Sequence, residues 1–259
     1  VRVAANKWDA SEFVIGDNPG GHVHLFKGEG GGMGQDVEPF WNSAAQLRRY
    51  DMVLLSCEGG ENKQNKGGDD AGARSPIHEY LNAGGKVFAT HYHYVWFKAS
   101  PADEFKNLAT WSESFDLSPK YTVNQSFPKG ESFAKWLANT NASSSLGQLD
   151  VPANQVRVVT SSINPPARAW ITNDLGEPVY ATVNTPLSMP NGSPVPPGNQ
   201  CGRAAITSLH IIDEPGPTSI GACTLAPGGL SPAQKAMAFL FFDLSACVTD
   251  DSVAPQPPK

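Results

Sequence analysis

Charge is scarce in this chain. Only 17% of its residues are Asp, Glu, Lys or Arg, the formal net charge is −6, and no Lys/Arg cluster stands out, which excludes a nucleic-acid surface. Long apolar runs are missing too: nothing approaches the ~20 residues of a bilayer-spanning helix, so no membrane span is expected. The first residues, Val1 to Trp8, carry no basic-then-apolar signal region. No cysteine spacing matches a zinc ribbon or a CxxC redox pair. "GEGGGMG" (Gly28 to Gly34) lacks the GK[ST] of a P-loop and reads as a loop, and "KGGDDAGARS" lacks the ligand spacing of an EF-hand. There is no internal repeat.

Glycine and proline, in contrast, are plentiful at 25 and 22 residues, and 40% of the chain is hydrophobic. That balance suits a loop-rich globular protein with a real core and argues against a coiled coil or helical bundle. "YDMVLLSCEGG" (Tyr50 to Gly60) is a short apolar strand running into glycines. "SPIHEYLNAGG" (Ser75 to Gly85) has an N-cap Ser, Pro at the first helical position and a Gly stop, so it reads as a helix. The strand "KVFAT" follows, and the three together form a parallel βαβ unit. The polar stretch between the first strand and the helix is a long loop at the carboxyl edge of the sheet, where sites form.

Upstream, "HVHLFKG" (His22 to Gly28) alternates like a half-exposed strand, which accounts for His22 and His24, and "PFWNSAAQLRRY" has helical spacing. Downstream, "GESFAKWLANT" reads as a helix. "QVRVVTS", "ARAWITN" and "PVYATVN" read as strands spaced like a meander, and "PLSMPNGSPVPPGNQ" as an exposed loop. The last unit is the strand "CGRAAITSLHI" and a helix within "LSPAQKAMAFLFFDLSAC", where Ser231 and Gln234 make a capping box. His78, helical beside Glu79, is expected on the surface.

These elements predict one α/β domain over residues 1–248 with a β-rich insertion at about 118–200, and a Pro-rich linker over 249–259. Both ends read as cut edges of a larger protein. The even count of four cysteines suggests disulfides and an oxidising compartment. On the predicted topology, Cys57 and Cys223 fall at one edge of the sheet and Cys201 and Cys247 at the other, which predicts the pairs Cys57–Cys223 and Cys201–Cys247.

"YDMVLLSCEGG" followed by "LNAGGKVFATHYH" resembles the core of the class I glutamine amidotransferase-like superfamily. "GGKVFATH" and "GRAAITSLH" are similar to patterns of its ThuA-like (trehalose-utilisation) branch. The blocks "GGKVF", "CGR" and "LSPAQKAMAFLFFDLSACV" most resemble a group of large secreted bacterial proteins. The resemblance covers roughly Tyr50 to Val248. It implies a flavodoxin-like three-layer sandwich with a mostly parallel central sheet and a small antiparallel β extension. It also implies a first parallel strand, absent or separately supplied here, whose lack would expose a sheet edge. The superfamily places a nucleophilic Cys on the elbow after the strand that is "KVFAT" here. That position falls at or beside His91, and Cys57 follows a different strand, so the usual glutaminase chemistry is not expected.

The strand ends gather Glu58, His91, His93 and His210, with Asp213 or Glu214 nearby. Two functional readings follow. His91 and His93, two apart on an extended chain, would face one side and could both bind a divalent metal. Glu58 and a histidine could serve as an acid/base pair on a sugar-like substrate held by Asp213, with Tyr92, Tyr94 and Trp96 as stacking faces. A structural reading stands beside them, in which the histidines hydrogen-bond buried backbone at the sheet edge and the aromatics pack as core. The expected role is a non-catalytic binding or structural module, secreted, periplasmic or at the cell surface. Its partners would be other domains of the same precursor or a surface polymer. A ThuA-like, metal-assisted carbohydrate enzyme is the rival.

Overall fold

A computed structural model of the chain describes residues 12–31, 34–115, 120–150, 157–209 and 230–254. The N-terminal part holds three short parallel strands, β1 (Phe13–Ile15), β2 (Val23–Lys27) and β3 (Gln35–Asp36). Where one helix was expected, two one-turn helices stand, α1 (Glu38–Trp41) and α2 (Ala44–Leu47). The break falls at Ser43, whose hydroxyl accepts from the Gln46 N–H and restarts the helix as a cap.

The βαβ unit follows as β4 (Met52–Leu55), α3 (Ser75–Asn82) and β5 (Lys86–Thr90). Next come the short helices α4 (Val95–Lys98) and α5 (Asp103–Lys106), then β6 (Ala109–Phe115), β7 (Lys120–Val123) and α6 (Pro128–Asn139). The chain goes on through β8 (Gln148–Asp150), β9 (Arg157–Ile163), β10 (Arg168–Asn173) and β11 (Pro178–Thr185). It ends in β12 (Gly202–Thr207) and α7 (Pro232–Ser245), the latter opened by the expected Ser231/Gln234 capping box.

Seven strands form one mixed sheet in the order β4-β5-β12-β11-β10-β7-β8. The parallel expectation holds for β4-β5-β12. From β12 to β8 every pairing is antiparallel, so the expected β extension continues the central sheet rather than forming a separate unit. A separate antiparallel ribbon does exist, but it pairs β9 with β6 rather than with β10.

Both faces of the sheet are covered. On one, Val53, Leu55, Val87, Ala204 and Ile206 meet Leu47 of α2 and Ile77 and Leu81 of α3. On the other, Phe88, Tyr180 and Ala205 meet Leu137 of α6 and Leu240 and Leu244 of α7. The period-2 alternation along β5 and β12 produces this division. Contact between α3 and the sheet is so close that a Cβ at Gly202 would lie 1.8 Å from the Leu81 carbonyl oxygen.

Three sequence expectations are corrected: the Cys201–Cys247 disulfide, the start of the linker at residue 249 and the surface position of His78. Cys201 and Cys247 form no disulfide and are both exposed. Cys201 sits against Gly84 in the turn before β5. Cys247 leaves α7 on a segment drawn under the sheet instead, where Asn184 Nδ2 donates to Thr249 O at 3.1 Å and Asp251 is buried. Thr249 to Asp251 thus belong to the packed domain. The pair Cys57–Cys223 lies outside the described residues, because Cys223 does. His78 is not on the surface: it is 5% exposed and stacked on Phe105, with ring centroids 4.2 Å apart.

Candidate functional site

β5 ends at Thr90, and His91 to Tyr94 form a tight 3-10 turn before α4, not a continued strand. His91 takes the left-handed region at φ +36°, an uncommon conformation for a residue with a Cβ. The sharp turn sends the two imidazoles to opposite neighbours. His91 Nε2 lies 2.6 Å from Ser208 O, just past β12, and His93 Nε2 lies 2.8 Å from Ser56 O, just past β4. A carbonyl only accepts, so each Nε2 carries the proton and donates.

The shared-metal expectation therefore fails. It required an extended chain with both rings on one side. Here the rings anchor to strands that are two spacings apart, roughly 9–10 Å, whereas nitrogens on one zinc lie about 2 Å from it. Among the described residues, no group of three or more His, Cys, Asp or Glu side chains could hold a metal ion.

His93 is fully defined by its partners. The Trp96 indole can only donate, and its Nε1 lies 3.2 Å from His93 Nδ1, so that nitrogen is an acceptor and the ring is neutral. Burial, reinforced by the nearby Lys66 ammonium, pushes the His93 pKa down to about 3, against a weaker pull from Ser56 O. His78 is likewise held neutral, at about 4, by burial, while its Nε2 donates to Trp96 O at 3.0 Å.

Glu58 sits beside this pair with its side chain 5% exposed, and its carboxylate takes three donors. Lys66 Nζ, Asn65 Nδ2 at 3.3 Å and the backbone N–H of Glu29 at 2.7 Å all donate to it. His93 Nε2 is 3.8 Å from its Oε2. The Gly28–Glu29 backbone lies directly on the carboxylate: a Cβ at Gly28 would fall 2.4 Å from Glu58 Oε1. Lys66 itself is completely buried, lies 4.8 Å from the centroid of the Trp41 ring and also donates to Asn65 Oδ1. Burial pushes its pKa down, and Glu58 opposes the shift. This ion pair is the part of the site that sequence reading missed. Lys66 lies in a polar, Gly-flanked loop whose pattern carries no sign of burial.

The aromatic residues divide. Trp96 and Tyr94 are core side chains, 0% and 1% exposed, which corrects their expected role as stacking faces. Tyr94 stacks on Trp111, and its hydroxyl donates to Glu61. Burial of Glu61 favours its neutral form, but bonds from Tyr94, Lys98 and Lys63 outweigh this and hold the carboxyl down to about 2. Tyr92 is partly exposed and donates to Glu113 Oε1 at 2.9 Å. His210, Asp213 and Glu214 lie outside the described residues.

Of two hollows, only the smaller adjoins this frame. One, of about 430 Å³, lies over the Gly28–Gly31 loop beside Asn65, Glu29 and Glu38. The larger, about 600 Å³, lies away from the histidines, between β9 and the β10–β11 hairpin.

No family model matches the chain, and no curated protein matches it. Among solved structures it is similar to a cytoplasmic protein of Salmonella typhimurium at 15% identity, over 67% of each chain, with a TM-score of 0.36. It is also similar to a ThuA-like protein of Bacteroides uniformis at 12% identity, over 70% of this chain and 69% of the other, with a TM-score of 0.37.

Proposed function

We propose that the chain is a non-catalytic binding or structural module of a larger secreted or surface protein, built on a flavodoxin-like, ThuA-like scaffold without the amidotransferase nucleophile. One observation carries the reading. Glu58 and His93 are both buried and committed to the protein itself: Glu58 accepts from Lys66, Asn65 and the Glu29 N–H, and both ring nitrogens of His93 are hydrogen-bonded, so His93 has no free proton for a substrate. A working acid/base pair needs an exchangeable proton within reach of a bound molecule. Its partners in this reading are neighbouring domains of the same precursor or a surface polymer.

The strained turn at His91 favours a second reading, a carbohydrate-active, metal-assisted enzyme, because such backbone outliers cluster at functional sites. Elemental analysis of protein purified without chelators separates the two. The module predicts no stoichiometric divalent metal in the parent or in the His91→Ala/His93→Ala variant. A full equivalent that disappears in that variant would overturn both the module reading and the opposed placement of the two imidazoles.

A further inference from the structure

Four charged side chains meet beneath the second face of the sheet, remote from the histidines. Arg203 comes from β12, Lys129 from α6, Asp243 from α7 and Asp251 from the segment after α7. Arg203 is 1% and Lys129 7% exposed, so neither can be left uncompensated. Asp243 holds both cations closely: its Oδ2 is 2.7 Å from Arg203 Nη2 and its Oδ1 is 3.0 Å from Lys129 Nζ.

Asp251 is the second carboxylate on the same two cations: its Oδ1 lies 3.0 Å from Arg203 Nη2 and 3.1 Å from Lys129 Nζ, and its Oδ2 accepts from Thr182 Oγ1 at a long 3.3 Å. Five residues separate it from the end of α7 at Ser245, and it arrives on a segment also tied to the sheet by Lys86 Nζ, which donates to Ser245 O at 2.9 Å, and by the Asn184–Thr249 bond. If Asp251 withdraws, Arg203 and Lys129 keep Asp243 and retain one uncompensated positive charge around a carboxylate-sized space. Asp250 and Asp251 also form part of the wall of the 600 Å³ hollow.

We infer that Thr249–Asp251 is a releasable latch in which the Asp251 carboxylate plugs an anion pocket made by Arg203, Lys129 and Thr182, and that a small free carboxylate can take its place. The latch couples the position of whatever follows residue 251 to the wall of the hollow. It stands independently of the function proposed above.

Chemical rescue tests it. Asp251→Ala opens the pocket without filling it, and its Tm should fall by about 5–10 °C, the shift expected when one partner of a buried ion network is removed. Sodium formate at 0.2 M (about the ionic strength at which surface charge is already screened) should then restore at least half of the loss, and equal sodium chloride should not. Asp251→Asn, which keeps the side chain's bulk, should lose stability without formate rescue. If Asp251→Ala does not fold, the yield of refolded protein in formate against chloride gives the same comparison. A wild-type Tm in Asp251→Ala overturns the latch. Equal effects of formate and chloride overturn the anion pocket.

Discussion

The two buried neutral histidines make a quantitative prediction about acid stability. In the unfolded chain both titrate near the ordinary value of 6.5, whereas in the fold His78 sits at about 4 and His93 at about 3. Their folded values are depressed, so the unfolded state binds more protons and stability falls as pH falls below 6.5. At pH 5 both folded values are still below the solution pH, so the penalty depends almost wholly on the unfolded value. It comes to about 2 kcal/mol per histidine, about 4 kcal/mol together. That is a large share of the roughly 5–15 kcal/mol by which a domain is stable. The loss precedes that of Glu61, whose contribution is present above its ordinary 4.5 and disappears only as pH falls towards 2. Urea unfolding at half-unit steps from pH 7.5 to 4.5 measures it. His93→Gln, which keeps a side-chain N–H for Ser56 O, should flatten the slope by about 1.2 kcal/mol per pH unit between pH 6 and 5. Stability that is level across this range, or a variant slope equal to the parent's, would refute the neutral, buried assignment.

Three further outcomes follow from the packing. Lys66→Met should destabilise by about 3–5 kcal/mol by leaving Glu58 buried without its cation, and Glu58→Gln in the same chain should recover part of that; a strictly additive double variant in chemical denaturation would contradict the pairing. Gly202→Ala should yield little folded protein, because its Cβ would sit 1.8 Å from Leu81 O, and a normal far-ultraviolet spectrum and Tm would show that α3 does not lie so close. Cys201 and Cys247 should react with a thiol reagent in the native state, so replacing both by Ser should lower the titrated count by two, and an unchanged count would mean that these thiols are not accessible.

The sequence was most legible where local chemistry and burial agree. The continuous apolar run Met52 to Leu55, the Gly84 stop and the capping box at Ser231 each predicted an element that forms, because each is decided within a few residues. Less legible was the order of strands. "QVRVVTS" alternates as a strand should, but its partner β6 lies some 50 residues upstream, and no periodicity encodes a pairing across that distance. Burial of charge was least legible. Lys66, Lys129 and Asp251 sit in polar stretches typical of solvated loops and helix faces, and only three-dimensional convergence with Glu58, Arg203 and Asp243 takes them inside. Arg203 gave one readable sign, an ionised residue in the otherwise small and apolar run "GRAAIT".

The histidine pair serves the backbone at the carboxyl edge of the sheet. Where a parallel strand ends, the next carbonyls have no ladder partner, and buried ones must find a donor. At the end of β5 the turn lies between two such carbonyls, Ser56 O beyond β4 and Ser208 O beyond β12. A left-handed residue at His91 reverses the chain sharply enough for rings only two residues apart to reach in opposite directions. A regular strand would have sent both to one side. The strain at φ +36°, on the order of 1–2 kcal/mol, is therefore offset by two hydrogen bonds that tie three strand ends together. A catalytic elbow needs its reactive side chain unbonded and open to solvent. Here His91 is 2% exposed and bonded to the backbone, so the turn works as a clasp across the carboxyl edge of the sheet.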